Sequence, residues 1–356
     1  MSRLNIQENV ALAPYTTLGI GGPARFFTRI TEESQIPEAL DFARARSCPV
    51  FILGGGSNIL VADTGFPGLV LKIELRGIHT IDDEHRGIIV AAAGETWDVF
   101  VQHCIDRDLA GIECLSGIPG TVGAAPVQNI GAYGQEICKR IISTRVLDRE
   151  IEAPIELSNA QCKFSYRSSI FNTEYPDRYI ILKVAFDLHT HGRPRISHPE
   201  IQSRLSGSGS RPSLREVRQA VLEIRRAKGM IVSENDPDSK SAGSFFKNPV
   251  LTGEEAERIE AQARARGLLS GSESIPRFPF GTNKVKLAAG WLVERAGFPR
   301  GYTRGNAAIS TKHALALINR GGATAQEILD LMHIIQDGVR EKFGVMLEPE
   351  PVIVGI

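Results

Sequence analysis

The sequence predicts a fold that mixes helices with strands, of the α/β or α+β class. Apolar runs of strand length alternate with segments of helical periodicity, which is typical of layered α/β and α+β domains. Two glycine-rich runs, one of them directly after an apolar run, mark loops that need unusual backbone freedom. At 356 residues, the chain is long enough for roughly two or three domains of ~100–200 residues each.

Composition argues against several function classes. The 41 basic and 41 acidic residues cancel, so no global charge attracts nucleic acid or an anionic membrane. No apolar run approaches the ~20 residues of a membrane helix, and the first residues lack the pattern of an export signal. The 5 cysteines, odd in number and without a Cys-x-x-Cys pair, predict free thiols in a reducing cytoplasm. The histidines show no spacing that predicts a metal site.

The first half of the chain alternates between predicted helices and strands. Each predicted strand is a short apolar run, and each predicted helix has apolar residues along one face. In chain order they are a helix at Gln35–Arg46, strands at Pro49–Leu53, Leu69–Ile73 and Gly87–Ala93, a helix at Trp97–Arg107, and strands at Arg140–Asp148 and Tyr179–Leu188.

The second half begins with a change in composition. Residues Thr190–Ser213 are rich in Pro, Gly, Ser and charge, which predicts a long loop or linker. The segment Leu214–Lys228 follows, and its pattern predicts a helix. The apolar residues that share one face of this helix are Leu214, Val217, Val221 and Ile224.

The last predicted helix has sequence signals at both ends. Thr324-x-x-Glu327 is a capping-box pattern that opens a helix, and Gly344 is typical of a helix end. A strand at Pro351–Val354 closes the chain. The predicted buried stripe of the helix consists of Ile328, Leu331, Ile335 and Val339.

The first glycine-rich run, Gly54-Gly55-Gly56-Ser57-Asn58, comes directly after the predicted strand Pro49–Leu53. Glycines let a ligand approach the backbone closely and leave N–H groups available to a phosphate. The run is neither a Walker loop nor a GxGxxG fingerprint. It therefore fits either a tight turn or a phosphate cradle.

The second glycine-rich run, from Ser116 to Gly134, holds more glycines than one turn requires. Such glycines can let backbone pack against a flat or phosphorylated ligand, or can permit close packing of strands. Two such runs in one mixed α/β region favour a dinucleotide or flavin site.

Three further segments each carry a candidate side chain. Arg167, in CKFSYRSS, can anchor a carboxylate or phosphate, or lie at the surface. Ser244, in SAGSFFKNP, precedes two phenylalanines that can desolvate its hydroxyl and make it a proton donor, or it is a plain loop serine. The absence of a GxSxG pattern disfavours acyl-enzyme chemistry. In LEPE, nothing local distinguishes Glu348 from Glu350.

The order of these motifs resembles one family. The motifs GGGSN, SGIPGTVGAAPVQNIGAYG, CKFSYRSS, SAGSFFKNP and LEPE follow one another as in the UDP-N-acetylenolpyruvoylglucosamine reductase (MurB) family, and TLGIGGPARFF near the start is also similar. The resemblance covers about Thr17 to Gly355. It implies an α+β fold, in which two α/β subdomains form an FAD-binding unit of the PCMH/VAO type beside a C-terminal α/β substrate-binding domain. We expect the FAD-binding subdomains at 1–75 and 76–213, the UDP-sugar domain at 214–345, and a C-terminal strand with the active-site glutamate at 346–356.

The resemblance also implies roles for individual residues. Ser244 matches the family's proton donor, and Arg167 and Glu350 match the pair that stabilises the reaction intermediate. The residues implied to hold FAD are Gly54, Gly55, Gly56, Ser57, Asn58, Ser116, Gly117, Pro119, Gly120, Thr121, Gly123, Ala124, Asn129, Gly131, Tyr133 and Gly134.

A second set of implied residues concerns the UDP-sugar. Arg225, Lys228 and Asn248 fall where the family contacts the nucleotide diphosphate. Because Arg225 and Lys228 lie three positions apart, we expect them to face one anion from a single helix. Ser197-His198-Pro199 stands where one branch of the family has a tyrosine, so we assign that role to no residue. His198 could stack on a ligand, but we favour its interpretation as a solvated linker histidine.

The implied reaction is the reduction of UDP-N-acetylglucosamine enolpyruvate to UDP-N-acetylmuramate, for peptidoglycan precursor synthesis. NADPH is the implied reductant of FAD, with hydride reaching the vinyl C3 and a proton from Ser244 reaching C2. A flavin oxidase on the same scaffold and a non-catalytic UDP-sugar-binding protein remain alternatives. We expect a cytoplasmic monomer whose partner is the UDP-sugar, with no metal, nucleic acid or membrane involved.

Overall fold

A computed structural model of the chain describes residues 4–83, 86–206 and 211–355. Strands dominate the described part, and most are short. In chain order they are β1 (Gln7–Ala11), β2 (Pro23–Ile30), β3 (Val50–Leu53), β4 (Ile59–Val61), β5 (Phe66–Ile73), β6 (Ile78–Asp83), β7 (Arg86–Ala92), β8 (Leu109–Ala110), β9 (Gly131–Ala132), β10 (Gln135–Glu136), β11 (Ile141–Asp148), β12 (Ala153–Ser158), β13 (Tyr179–Thr190), β14 (Val250–Thr252), β15 (Arg277–Phe280), β16 (Lys284–Leu287), β17 (Thr303–Arg304), β18 (Ala307–Ile309), β19 (Leu317–Asn319) and β20 (Val352–Val354).

The α-helices agree with the predicted ones within two residues at each end wherever a helix was predicted. In chain order they are α1 (Gln35–Ala45), α2 (Trp97–Ile105), α3 (Pro199–Leu205), α4 (Leu214–Ala227), α5 (Gly253–Ala265), α6 (Ala289–Arg295) and α7 (Ala325–Phe343).

The described residues form two compact units. The first unit consists of residues 4–11, 23–56 and 66–227, and the second of residues 12–22, 57–65 and 228–355. Two short N-terminal segments therefore belong to the unit that otherwise holds the C-terminal third. The finer division at residue 75 into two FAD-binding subdomains stays a prediction.

The first unit is built on two sheets around one buried core. One sheet has the strand order β1-β2-β5-β3, in which β2, β5 and β3 are parallel neighbours, and the other has the antiparallel order β12-β11-β13-β7-β6. Leu69 and Leu71 of the first sheet and Ile89 and Phe186 of the second belong to the same buried cluster. The predicted strand at Pro49–Leu53 is thus β3, and the first glycine run begins at its carboxyl end.

Helix α7 forms much of the core of the second unit. Its N-terminus has the predicted capping box, in which Thr324 and Glu327 each accept a hydrogen bond from the other's backbone N–H. Gly344 ends the helix with a left-handed backbone at φ +69°, as predicted. The predicted stripe is confirmed, since the buried residues of α7 include Ile328, Leu331, Ile335 and Val339.

The predicted linker Thr190–Ser213 is wrong in part, because it contains helix α3. His198 is the N-cap of this helix, accepting a hydrogen bond from the Glu200 N–H at 3.3 Å, and Ile201 is buried against α4. The interpretation of His198 as a solvated histidine is also wrong, since its half-buried ring packs edge-on against Tyr133 at 5.1 Å. The helix has only one apolar pair at helical spacing, Ile201 and Leu205, which is too short a pattern to predict a helix of seven residues. Residues 207–210 of the predicted linker lie outside the described residues.

Candidate active site

The two glycine-rich runs pack directly against each other in the first unit. A Cβ atom placed on Gly55 would lie 2.4 Å from the Gly120 Cα, and one on Gly54 would lie 3.0 Å from the Thr121 Oγ1 and 3.2 Å from the Ala124 Cβ. Only glycine fits at Gly55, because no real Cβ approaches another carbon so closely. The runs meet at the carboxyl end of β3, beside its parallel neighbour β5, which is the end of a parallel sheet where ligands bind.

The beginning of the second run is fixed to helices α2 and α4. The Gly117 N–H donates to the Asp98 Oδ1 at 2.5 Å, and Arg218 grips the same carboxylate through two hydrogen bonds of 2.6 and 2.8 Å. Burial raises the pKa of Asp98, but the hydrogen bonds from Arg218 and Gly117 outweigh it and hold the pKa below its ordinary value. The Gly120 carbonyl accepts from the Trp97 N–H at 3.0 Å, at the start of α2. This end of the loop is therefore held rigidly.

The later part of the second run is joined to the segment that carries Arg167. Asn129 donates from its side-chain amide to the Ser165 carbonyl at 2.8 Å, and the Ser169 hydroxyl donates to the Val127 carbonyl at 2.7 Å. Arg167 itself donates from Nη2 to the Gly131 carbonyl at 2.9 Å. These three bonds bring together Asn129, Gly131 and Arg167, which the sequence predicted as site residues.

Arg167 sits at the tip of a tight hairpin turn. Ser165 and Ser168 pair on both sides of it, through N–H to carbonyl bonds of 2.9 and 3.2 Å. The Arg167 backbone is left-handed, with φ +54°, and its side chain is half-buried. A left-handed non-glycine residue costs of order 1 kcal/mol or more, and such strain concentrates at functional sites. Asn129 (φ +43°) and Tyr133 (φ +50°) share this conformation.

Arg225 lies on α4 beside Tyr133, also within the first unit. Its side chain is 8% exposed and donates a hydrogen bond to the Tyr133 hydroxyl. Burial lowers the pKa of Arg225, although the Tyr133 phenol and the Asp98 carboxylate act to raise it. Burial raises the pKa of the Tyr133 phenol. The Arg225 side chain therefore packs against the second glycine run, since a Cβ placed on Gly117 would lie 3.4 Å from it.

Arg225 lies in the last turn of α4 and Lys228 directly after it, and their joint contact with one anion stays a prediction. Helix α4 ends at Ala227, and Lys228 opens a turn in which Gly229 has φ +65°. Lys228 is half-buried and belongs to the second unit, whereas Arg225 belongs to the first. The glycine that follows Lys228 stops the helix one residue earlier than apolar periodicity predicts.

The motif Gly54–Asn58 is divided between the two units after Gly56. Asn58 donates from its side-chain amide to the Glu350 carbonyl at 3.2 Å, and its own carbonyl accepts from the Val352 N–H at 3.0 Å. Strand β4 then continues this pairing with β20 in parallel. Asn58 thus holds the backbone of the segment that carries Glu350, and a contact with FAD stays a prediction for Ser57 and Asn58.

Ser244 and Glu350 come together in the second unit. The Glu350 N–H donates to the Phe245 carbonyl at 2.8 Å, and the Lys247 N–H donates to the Glu348 carbonyl at 2.9 Å. Burial distinguishes the two glutamates, which the local sequence could not do. Glu350 is half-buried, whereas the Glu348 side chain is 74% exposed and forms an ion pair with Lys247 at 3.5 Å. Ser244 is itself half-buried, between Gly243 and the buried Phe245.

Asn248 performs a structural task in the same unit. Its Oδ1 accepts a hydrogen bond from the Ala289 N–H at 2.9 Å, which caps the first turn of α6. A carbonyl oxygen engaged in this way fixes the orientation of the amide. The contact of Asn248 with a diphosphate stays a prediction.

Sequence reasoning missed several residues that fix these loops. Lys72 of β5 donates from its ammonium to the Gly54 carbonyl, and burial lowers the pKa of Lys72. Asp98, held by Arg218, accepts a hydrogen bond from the Gly117 N–H. Asn319 donates from its side-chain amide to the Leu18 carbonyl. These residues are single charged or amide side chains in ordinary elements, and no local pattern distinguishes them from surface residues.

The first unit offers features that suit FAD. Gly54 and Gly55 are half-buried at the end of β3, and the backbone N–H groups of such a glycine-rich loop can bind a pyrophosphate. The half-buried Tyr133, in the second glycine run, and the half-buried Arg167, bonded to Gly131 of that run, add an aromatic ring and a cation. Within residues 4–83, 86–206 and 211–355, no cluster of three His, Cys, Asp or Glu side chains could hold a metal ion.

Comparison with known proteins agrees with this arrangement. Residues 24–150 match an FAD-binding domain family, and residues 236–354 match the C-terminal domain of UDP-N-acetylenolpyruvoylglucosamine reductase. The protein of that name from Thermobifida fusca is 43% identical over 98% of both chains. The chain belongs to the UDP-N-acetylenolpyruvoylglucosamine reductase family. The predicted family is thereby confirmed.

Other members of the family match over similar lengths. The reductase from Streptomyces coelicolor is 43% identical over 99% of this chain and 91% of its own, and the one from Chromobacterium violaceum is 42% identical over 98% and 99%. The crystal structure of the reductase MurB from Thermus caldophilus aligns with a TM-score of 0.63 over 99% of each chain, at 24% identity. The shared fold confirms the predicted α+β class, with a PCMH-type FAD-binding unit and a C-terminal domain.

Proposed function

We propose that this chain is an FAD-dependent reductase that converts UDP-N-acetylglucosamine enolpyruvate to UDP-N-acetylmuramate, with NADPH as the reductant. Family membership over the whole length supports the reaction class. The observation within the molecule that carries the proposal is the backbone bond from Glu350 to Phe245. This bond holds the half-buried residue Glu350 beside the loop of Ser244, so that an acid and a hydroxyl can serve one reaction that adds a proton next to a forming anion.

The cofactor supplies the hydride chemistry when it is bound, because no amino-acid side chain can. The chain supplies a cradle for it in the first unit, where Gly55 and Gly120 leave no room for side chains. Asp98, through Gly117, and Asn129, through Ser165, keep that cradle in one conformation.

Ser244 holds the proton that reaches C2 of the substrate. A hydroxyl of ordinary acidity protonates only a strongly basic carbon, and hydride addition at C3 produces such a carbon. Arg167 stabilises the negative charge shared by C2 and the neighbouring carboxylate, because its guanidinium is permanently charged and its backbone is locked in the hairpin. Glu350 assists as a protonated or hydrogen-bonded acid, since a bare carboxylate would repel the anion.

Further assignments concern the UDP group and the setting. Arg225, Lys228 and Asn248 are proposed to contact the diphosphate. All 5 cysteines are free thiols, in keeping with a reducing cytoplasm. Among the described residues, no helix is both long and apolar enough to cross a membrane. We propose a monomer, without a nucleic-acid partner.

The experiment is a spectral titration of the purified chain under nitrogen. We expect flavin absorbance, its loss on addition of NADPH, and its return on addition of the enolpyruvyl sugar. A colourless chain would contradict the proposal. A flavin that recovers rapidly in air, and not with the sugar under nitrogen, would instead indicate an oxidase.

A further inference from the structure

The loop that carries Ser244 is held in place by a hydrogen bond from Thr17, a residue that lies far away in the sequence. The Thr17 hydroxyl donates to the Ser241 carbonyl at 2.6 Å, across 224 residues of sequence and within the second unit. Thr17 is half-buried and Ser241 is 6% exposed, so little water can replace the bond if the hydroxyl is lost.

Asn319 strengthens the same contact from the other side. It is 6% exposed, and its side-chain amide donates to the Leu18 carbonyl at 3.0 Å while its Oδ1 accepts from Gly321 and Ala323. Its backbone N–H donates to the Lys240 carbonyl at 3.0 Å. The carbonyls of Lys240 and Ser241 are thus both fixed, one by Asn319 and one by Thr17.

The far end of the loop is fixed independently. The Phe245 N–H donates to the Leu315 carbonyl at 2.7 Å, and the Phe245 carbonyl accepts from Glu350 at 2.8 Å. Ala242, Gly243 and Ser244 therefore bridge two anchored residues. Ala242 is 3% exposed, whereas Gly243 adopts φ +73°, and a Cβ added there would meet no heavy atom of the described residues within 4 Å. The Gly243 N–H donates to the Ser241 hydroxyl at 3.3 Å, so rotation at Gly243 is opposed by this one long hydrogen bond rather than by side-chain packing.

We propose that Thr17 is a positioning residue for the proton transfer, because its hydroxyl holds the entry of the bridge and so sets the direction of the Ser244 side chain. This inference rests on the proposed function. With the entry released, rotation at Gly243 lets Ser244 sample directions that do not meet the substrate carbon. A misplacement of about 1 Å can cost roughly 100-fold in rate, and we expect about 10-fold for the loss of one of several anchors.

The test is Thr17→Val, which replaces the hydroxyl by a methyl group of similar size. The sugar-driven recovery of flavin absorbance should slow about 10-fold, whereas bleaching by NADPH should stay within about twofold of wild type. Thr17→Ser keeps the hydroxyl and should restore the recovery rate. Thr17→Ala removes the hydroxyl without adding bulk, and it answers the question if the valine variant does not fold.

Thr16→Val is the matched control. The Thr16 hydroxyl donates to the Ala13 and Ile20 carbonyls at 3.2 and 2.9 Å, within its own turn, and so supports the N-terminal segment without contacting the Ser244 loop. It should lower the melting temperature without a selective loss of recovery. Equal recovery rates in the Thr16 and Thr17 variants, or equal losses of both half-reactions in Thr17→Val, would overturn the role of Thr17. A wild-type chain that does not recover with the sugar would instead overturn the proposed function itself.

Discussion

The two units hold their loops by different means. In the first unit, the side-chain bonds made directly to the second glycine run span short stretches of sequence, 19 residues from Asp98 to Gly117 and 36 from Asn129 to Ser165, although Arg218, which holds Asp98, lies 120 residues from it. In the second unit, the bonds around Ser244 and Glu350 span 224 residues from Thr17 and 292 from Asn58. The direct anchors of the glycine runs are therefore closer in sequence than those of the Ser244 loop, the proposed source of the proton, which depends on segments more than 200 residues away. Contacts over such distances also close the largest loops during folding.

The largest effect should come from removing the hydroxyl of Ser244, the proposed proton donor. Ser244→Ala should lower steady-state turnover about 1000-fold, within the range that general acids contribute. Ser270→Ala, at an exposed serine of the same unit, should leave turnover unchanged. Steady-state kinetics with NADPH and the enolpyruvyl sugar measure the turnover of both variants. If Ser244→Ala lowered turnover less than about fivefold, the Ser244 loop would not be catalytic.

Arg167 tests whether the locally built hairpin is catalytic. Arg167→Ala should lower kcat about 100-fold and raise KM less, because the charge that it stabilises is fully developed only in the transition state. A rise in KM at constant kcat would show a binding role alone. Arg44→Ala, at a surface arginine whose side chain is 61% exposed, serves as the control in the same unit.

Alanine substitutions at Gly55, in the first glycine run, and at Gly243, in the Ser244 loop, compare the packing of the two loops. Gly55→Ala should lower the free energy of unfolding by about 2 kcal/mol, as overpacking does, because its Cβ would meet Gly120 at 2.4 Å. Gly243→Ala would meet no heavy atom of the described chain within 4 Å and should cost only about 1 kcal/mol for its left-handed backbone.

The functional consequences of the two glycine variants should also differ. We expect Gly55→Ala to weaken FAD binding, measured by fluorescence titration, and Gly243→Ala to slow the sugar-driven half-reaction with FAD binding intact. Urea unfolding gives the two stabilities. The reverse assignment of the two defects would contradict the proposed division of labour.

The smallest effect concerns pH and Asp98. Hydrogen bonds from Arg218 and Gly117 hold the folded-state pKa of Asp98 below the ordinary 3.8, although burial alone raises it. A carboxyl with a lowered folded pKa stabilises the fold above about pH 4, and this contribution is lost as the pH falls through the folded pKa. Asp98→Asn should therefore cost about 1 kcal/mol at pH 7 and progressively less below pH 4.

The control for Asp98 is Asp106→Asn, just beyond the end of the same helix. The Asp106 carboxylate is 46% exposed in a 3.3 Å pair with Arg215, so its removal should change stability little at any pH. A stability difference for Asp98→Asn that stayed constant from pH 7 to pH 3 would contradict the proposed anchor of Gly117.

Much of the fold was predictable because its signals are local. The strand before Gly54, the stripe of α7 and the box at Thr324 each depend on residues within a few turns of one another. Helix α3 was not predictable, since its stability comes from packing Ile201 on α4 rather than from its own pattern.

The candidate site was predictable in composition but not in arrangement. Glycine runs, Arg167 and Ser244 stand out as motifs, yet nothing local distinguished Glu350 from Glu348 before their burial was known. The end of α4 has a local cause in Gly229, which apolar periodicity does not register, whereas the bond from Thr17 to Ser241 depends on a tertiary contact that no local pattern can reveal.

The most direct measurement follows the two half-reactions of Ser244→Ala separately, by stopped-flow absorbance under nitrogen. Our account predicts bleaching by NADPH at close to the wild-type rate and recovery with the enolpyruvyl sugar slowed about 1000-fold. If both half-reactions slowed together, or if neither did, Ser244 would not be the proton donor.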